Sequence, residues 1–411
     1  MTRTIRRGIL AAACLASCIL LTGCWDRAEL NELAITSATS FDKTDKGWTV
    51  SYQVIIPSAI SSGYSGGGGG GGGGSPITVY STTGKTIREA VSRSVMESPR
   101  QLYFAHNRVL VVSDRAARSG MNAILDVYFR LPEARETVNI LISEGDPSRM
   151  LRQLFAMQRI SGEGLQALIA KESRIDSILP AVKVYEFAMS IVGDGRSGVL
   201  PEIYIGGSPD VNATDKLSET SMSARLKLGR LALFKSGRMV GWLSQREALG
   251  VAFIADRIKF ASIAFPCGDR NSQSQLGTFR IAKSSTKLTP RRSGNRLAME
   301  VNIQTEGALE EMNCALDLLD PSVLHQLEAR LKGEVEKIVE EAWDAVRAHK
   351  ADVLGFAEAV HRLDPKYWKS LKNDWDEQFA AIAMKTDIKV KIERVGVSTK
   401  TFKKLEEQDN E

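Results

Sequence analysis

The first residues of this chain decide where it folds. Arg3, Arg6 and Arg7 precede residues 8–22, an uncharged run of apolar and small side chains, and charged residues resume only at Asp26. The run is shorter than the roughly 20 residues a helix needs to cross a bilayer. A basic start followed by a short apolar run is the pattern of a secretory signal peptide. Leu21-Thr22-Gly23-Cys24 closes that run in the manner of a bacterial lipobox. In that pathway the Cys24 thiol is alkylated with diacylglycerol, the chain is cut before Cys24, and the new amino terminus is acylated. Cysteine is required because its thiolate is the strong nucleophile available, and small residues before it let the peptidase approach the backbone. Each buried CH₂ of an acyl chain contributes about 0.8 kcal/mol, so two chains anchor stably. Residues 1–23 are read as a signal peptide, and Cys24 as the lipidated first residue of an exported chain held at a lipid bilayer.

Export also bears on the cysteines. Cys14 and Cys18 leave with the signal and Cys24 becomes a thioether, which leaves Cys267 and Cys314 in a compartment where disulfides persist. Their spacing fits no CxxC metal pattern. The sequence leaves two states open for them, one disulfide or two unpaired thiols. The 411 residues suggest two or three domains. With 43% hydrophobic and 25% charged residues the composition is globular, which excludes a disordered, collagen-like or polytopic membrane chain. The signal's three arginines account for most of the net charge of +5, so nothing marks a nucleic-acid surface.

Along the chain, strands and helices alternate. Leu33–Ser40 and Trp48–Ile56 read as strands around a polar turn at 42–47. Residues 57–76 carry nine consecutive glycines, Gly66–Gly74, and read as a disordered loop inside a domain. Strands follow at Ile77–Ser81, Arg108–Ser113 and Thr137–Ser143. Helices are expected at Thr86–Met96, Arg115–Phe129, Ser148–Met157, Gly164–Ser173 and Ala181–Val192. The helix over 115–129 would bury Met121, Ile124, Leu125, Tyr128 and Phe129. A Gly, Ser, Pro and Asp-rich stretch near 193–215 marks a boundary. Beyond it, strands at 227–234 and 239–243 flank Lys235-Ser236-Gly237-Arg238, a hairpin turn. Ser244 and Glu247 form a capping box for a helix to about Asp256. Several short strands are expected over 259–306. Asp320-Pro321 starts a long helix over 321–350 whose stripe of Leu324, Leu327, Leu331, Val335, Ile338 and Val339 suits packing against a core. Asp364-Pro365 starts another helical stretch, with Trp368, Leu371 and Trp375 on one face, and Ile388, Val390 and Ile392 alternate as a half-exposed strand.

The tempting chemical motifs fail. Gly84-Lys85-Thr86 looks like the end of a P-loop, but the required earlier glycine is Val79. The four histidines, His106, His325, His349 and His361, form no H-E-x-x-H, so no zinc site is indicated and no metal or cofactor is expected. No G-x-S-x-G elbow occurs, and no catalytic residues stand out. His106 and Asn107, just before an apolar strand, are candidates for a partner contact; for His106 the competing reading is a hydrogen-bonded residue at the start of that strand.

Several ordered segments carry a family resemblance. Cys24-Trp25-Asp26-Arg27-Ala28-Glu29-Leu30-Asn31 looks like the mature start of the Ger(x)C family, the lipoprotein C subunits of spore germinant receptors. Gly84-Lys85-Thr86-Ile87-Arg88-Glu89-Ala90, His106-Asn107-Arg108, and Phe234-Lys235 through Gly241-Trp242-Leu243 resemble its internal segments. Leu354-Gly355-Phe356 through Trp368 and Trp375, closed by Val395-Gly396, is similar to its C-terminal signature. The glycine tract is a departure from the pattern. The resemblance implies an elongated α+β protein of three domains, with mixed sheets and packed helices. On that pattern 24–195 is an N-terminal α/β domain, 196–265 a middle domain with a hairpin and a helix, and 266–411 a C-terminal domain. It implies a lipid-anchored, non-catalytic subunit on the outer face of the spore inner membrane. Its partners would be two membrane-embedded subunits, of A and B type, in a complex that responds to nutrients and starts germination. The competing reading of the residues is an anchored solute-binding protein delivering a small ligand to a transporter-like partner.

Overall fold

The computed structural model describes residues 29–61, 74–268, 275–294, 296–396 and 400–409, with positions 3, 5, 7 and 8 ahead of them. Strands β1 (Leu33–Thr44) and β2 (Gly47–Ile55) form an antiparallel hairpin at the expected polar turn. The stretch expected to be a loop over 57–76 opens with a helical turn, α1 (Pro57–Ser61), and residues 62–73 lie outside the described residues. The chain continues through β3 (Ile77–Gly84), α2 (Ile87–Arg93), β4 (Gln101–Tyr103) and β5 (Val109–Ser113). Helices α3 (Asp114–Ser119) and α4 (Asn122–Arg130), β6 (Asn139–Ser143), α5 (Ser148–Arg152), α6 (Ser161–Ile175) and α7 (Val184–Val192) follow. Then come β7 (Ser197–Gly207), β8 (Ala224–Lys235) and β9 (Arg238–Leu243).

These strands make one nine-stranded mixed sheet, ordered β3-β2-β1-β5-β6-β7-β8-β9, with β4 beside the start of β1. Its centre, β1-β5-β6-β7, is parallel, so both faces must be covered. The sequence VLVVS of β5 meets that demand. Leu110 and Val112 face a core built with α2, α3, α4 and α7, while Val109 and Val111 face one built with α5 and α6. Two buried glutamines tie loops to the sheet. Gln53 donates to the Leu151 carbonyl and accepts from the Gly162 N–H (2.9 Å), and Gln153 accepts from the Val211 N–H (3.0 Å).

The single helix expected over 115–129 is two. Gly120 takes φ +121, which ends α3, and the Met121 N–H donates to the Gly237 carbonyl instead of continuing the ladder. Met121, Ile124, Leu125 and Tyr128 are buried as expected, but Phe129 is exposed. The β8–β9 turn uses Ser236 and Gly237 with φ +48 and +75, the left-handed pair of a tight hairpin.

The second body has α8 (Gln245–Ile254), β10 (Ala261–Pro266), β11 (Leu276–Ser293), β12 (Arg296–Met312) and α9 (Pro321–Ala348). After these come α10 (Phe356–Leu363), α11 (Pro365–Leu371), α12 (Trp375–Ala380), β13 (Ala383–Arg394) and α13 (Phe402–Asp409). In place of several short strands over 259–306 the chain makes one long hairpin, β11–β12, inside a four-stranded sheet ordered β10-β11-β12-β13. Bulges at 278/279 and 281/283 absorb its irregular spacing, and Pro290 sits beyond the β10 pairing, where its missing N–H costs no ladder bond. The expected starts hold. Ser244 and Glu247 form the capping box of α8, and the Asp320 carboxylate accepts from Ser322 N–H ahead of Pro321. Leu327, Leu331, Val335, Ile338 and Val339 of α9 are buried, and Leu324 is half-buried. Helix α8 crosses α9 so closely that a Cβ on Gly250 would lie 2.3 Å from the Ile338 carbonyl oxygen. Residues 196–265 contribute β7–β9 to the large sheet, and α8 to the second body's core. The mixed α+β class expected from the sequence is what the fold shows.

The turn after α6 links the two bodies. Ser177 (φ +52) accepts from the Lys259 N–H, and Arg280 donates to the Ile175 carbonyl. Glu172 holds this turn: its Oε1 accepts from Ile178 N–H (3.1 Å) and Leu179 N–H (2.9 Å), while Oε2 is buried with no partner among the described residues. Burial pushes the Glu172 carboxyl up to about 7 against the two backbone donors, so on the acid side of neutrality it keeps its proton in the fold. An unfolded carboxyl ionises near 4.3. Stability from this group is therefore present in full below that value and is lost as pH rises toward 7. Glu172→Gln, which stays neutral, is expected to be more stable than wild type by about 1–2 kcal/mol at pH 8 after discounting for its partial exposure. The two should converge below about pH 4, where the carboxyl is protonated in the folded and the unfolded chain alike. Urea unfolding of both proteins across that range checks it.

Candidate functional site

The structure places the candidate residues unequally. Cys24 and the lipobox residues Leu21, Thr22 and Gly23 lie outside the described residues. Cys267 and Cys314 are joined as a disulfide with Cα atoms 6.1 Å apart, clasping the base of the β11–β12 hairpin. Both are buried. His106 stands exposed with its ring 5.9 Å from that of Tyr103. Asn107 corrects the partner-contact reading. It is 5% exposed and donates to Thr39 Oγ1 (2.9 Å) and Tyr128 Oη (2.7 Å), so it joins β1 to α4 inside the protein. Gly84-Lys85-Thr86 begins a helix: Thr86 accepts from Glu89 N–H, and Glu89 reaches back to Lys85 N–H.

The segment 352–375 organises a joint whose Gly355, Phe356, Trp368 and Trp375 the sequence marks and whose Asp352 it does not. Asp352 is 5% exposed and its carboxylate accepts four hydrogen bonds. Gly355 N–H and Phe356 N–H donate to Oδ1 (both 3.1 Å); Ala357 N–H (2.6 Å) and Trp375 Nε1 (3.0 Å) donate to Oδ2. It thereby caps α10, whose start has Gly355 at φ +83. Burial pushes this carboxyl's pKa up, and the four donors oppose that. The caps then hold an aromatic cluster: Trp368 and Trp375 meet edge to face at 5.0 Å, and Phe379 lies 5.2 Å from Trp343. Trp368 and Trp375 are thus core residues.

The large sheet docks on this segment. A Cβ on Gly195 would come 3.0 Å from the Asp352 carbonyl oxygen, and one on Gly241 would come 2.5 Å from the His349 ring. Asp194 Oδ2 lies 2.5 Å from His361 Nδ1, and Lys235 pairs with Asp376 at 2.7 Å. Beside the joint, three crevices of about 720, 330 and 280 Å³ meet at Arg257. Its guanidinium is open to solvent in the crevice, yet protein surrounds it on most sides. That enclosure lowers its pKa, opposed by the Glu186 carboxylate. No hydrogen bond or ion pair of this guanidinium occurs among the described residues, so the crevice offers a cation with open donors, with Glu186 the carboxylate nearby. Helix α7, whose Glu186 and Ser190 line one of these crevices, turns Tyr185, Met189 and Val192 outward as an apolar stripe, spaced 4 and 3 residues apart.

A family model described as "Spore germination protein N-terminal domain" matches residues 26–205, and one described as "Spore germination B3/ GerAC like, C-terminal" matches 229–396. The chain belongs to the Ger(x)C family. Among its relatives, Spore germination protein KC of Bacillus subtilis is 27% identical over 97% of this chain and 98% of its own length. Spore germination protein B3 of the same organism is 25% identical, over 92% of this chain and 95% of its own. The crystal structure of the GerBC protein shares the fold, with a TM-score of 0.56 at 19% identity, covering 90% of this chain and all of that one.

The joint explains why parts of the Ger(x)C pattern are legible in this chain. Gly355, Phe356, Trp368 and Trp375 are the helix start, the aromatic core and a donor to Asp352, and Gly241 is the close contact on the sheet side. Asp352 itself carries no local sequence signal, because its donors lie 3 to 23 residues away. Replacing it leaves up to four buried donors unpaired. Asp352→Ala is expected to lose about 3–5 kcal/mol of stability, and Asp352→Asn, which keeps an acceptor oxygen, less than half of that. Thermal unfolding followed by tryptophan fluorescence measures both; equal losses would mean that the charge, not the acceptor, matters.

Proposed function

We propose that this chain is the lipid-anchored, non-catalytic subunit of a nutrient germinant receptor, acting in spore germination by contact with membrane-embedded subunits of A and B type. The observation that carries this reading is the match to spore germination family models across residues 26–205 and 229–396, together with relatives of the same length. Cys24 would hold the protein through thioether-linked lipid on the outer face of the spore inner membrane. No described helix is long and apolar enough to cross a membrane, and no group of three metal-ligating side chains occurs among the described residues. The exposed apolar stripe on α7 offers a surface of the composition that protein interfaces bury.

The Arg257 crevice favours a second reading, in which the subunit binds a small carboxylate-bearing solute. The crevice volumes fall within or near the range of small-molecule sites, and an unpaired guanidinium suits a carboxylate. Calorimetric titration of the purified protein with acetate and with L-alanine tests it. No heat with either ligand removes the reading.

Affinity purification of tagged protein from spore membranes, beside Cys24→Ala, tests the leading proposal. Wild type should recover two integral-membrane subunits, and the variant should leave the membrane fraction. Wild type that sits at the membrane but comes alone would contradict the subunit role. A Cys24→Ala protein that stays at the membrane would contradict the anchor.

A further inference from the structure

Three of the four most exposed large apolar side chains among the described residues are Met157 (96%), Val95 (78%) and Met96 (78%). They lie toward one end of the first body. Strand β4 runs parallel to the start of β1, pairing Gln101 with Leu33. The turn 94–98, closed by Ser98 N–H donating to the Ser94 carbonyl, delivers the chain to that end. There Ser98, Pro99 and Arg100 share a cleft of about 890 Å³ with Glu29 and Asn31. Met157 approaches from the other face of the sheet. Leu154 packs on Ile77, the first residue of β3, and Arg159 donates to the Ile60 carbonyl next to the same cleft (2.8 Å). The two apolar points thus flank the place where the chain comes in from residue 28.

That place is tethered. Five residues from Cys24 to Glu29 span at most about 18 Å. A lipid on Cys24 therefore holds the bilayer near Glu29, which itself lines the cleft. Exposed Val and Met side chains gain free energy on entering the acyl boundary, and one lipid-linked site alone leaves the body free to swing. Arg100, which lines the cleft, and Arg159, beside it, are exposed, and cations there favour anionic headgroups; Glu29, at the same cleft, and Glu97 offset part of that charge.

We infer that Val95, Met96 and Met157 are a second membrane contact, dipping into the bilayer beside the lipid and fixing the first body's orientation on it. This inference rests on the reading of Cys24 as the lipidated residue.

The test uses the full-length lipidated protein in vesicles of phosphatidylglycerol and phosphatidylethanolamine. Single cysteines are introduced as Met96→Cys and Met157→Cys, with Leu363→Cys on the second body as control. The disulfide and the thioether leave each new thiol as the reactive one, and each takes an environment-sensitive NBD label. All three side chains are largely exposed, so the substitutions should not disturb folding. Proteins that float with the vesicles should show a blue shift, a severalfold rise in emission and quenching by nitroxide lipids at positions 96 and 157, and none of these at 363. Flotation with solvent-like emission at all three positions overturns the second contact while leaving the anchor intact. Failure of wild type to float removes the anchor, and this inference with it. Equal shifts at all three positions would also overturn it, because they would mean non-specific adsorption.

Discussion

The buried carboxylate of Asp352 is the interaction on which the joining of the two bodies depends. It gathers three backbone N–H groups at the start of α10 and the indole N–H of Trp375 from α12. Without that acceptor the helix start is uncapped and Trp375 loses its fixed place against Trp368. The same few residues form the surface on which the large sheet lands, through the bare backbone at Gly195 and Gly241 and the Asp194–His361 and Lys235–Asp376 pairs. At Gly241 a Cβ would push into the His349 ring, and at Gly195 it would press tightly on the Asp352 carbonyl oxygen, so the contact is a shape requirement more than an electrostatic one. The exposed polar pairs there add little by comparison.

Much of this was legible from local signals. The Ser236-Gly237 turn, the Ser244–Glu247 box and the Asp320-Pro321 start are short-range devices, and each sits where the sequence places it. The apolar stripe of α9 was legible because helical periodicity persists over seven turns. What was not legible depended on distant partners. The break at Gly120 owes its form to the Gly237 carbonyl, more than a hundred residues away. The β11–β12 hairpin read as several short strands because polar residues and Pro290 interrupt its alternation, and only the pairing with β12 carries it through. Asn107, just before an apolar strand, reads as a candidate partner contact; Tyr128 and Thr39 draw it inward. Asp352 and Arg257 went unnoticed because an acidic or basic residue in a loop is commonplace until its neighbours in space are known.

The family match accounts for the order of the motifs along the chain, and the structure for why they are those residues. The functional proposal then asks little of chemistry and much of placement. A subunit that works by contact needs one body held to another and a definite stance on its membrane. Here the Asp352 joint, together with the Glu172 turn, supplies the first. The anchor and the apolar points flanking it would supply the second.

The direct measurement of the central claim is germination itself. Spores lacking this gene are complemented with wild type or with Cys24→Ala and exposed to nutrient germinants, and dipicolinate release is followed over time. The account predicts that wild type restores release, and that Cys24→Ala, expressed to the same level, does not. Nutrient-triggered release that is unaffected by the deletion would contradict the receptor role, and full rescue by Cys24→Ala would contradict the part given to the anchor.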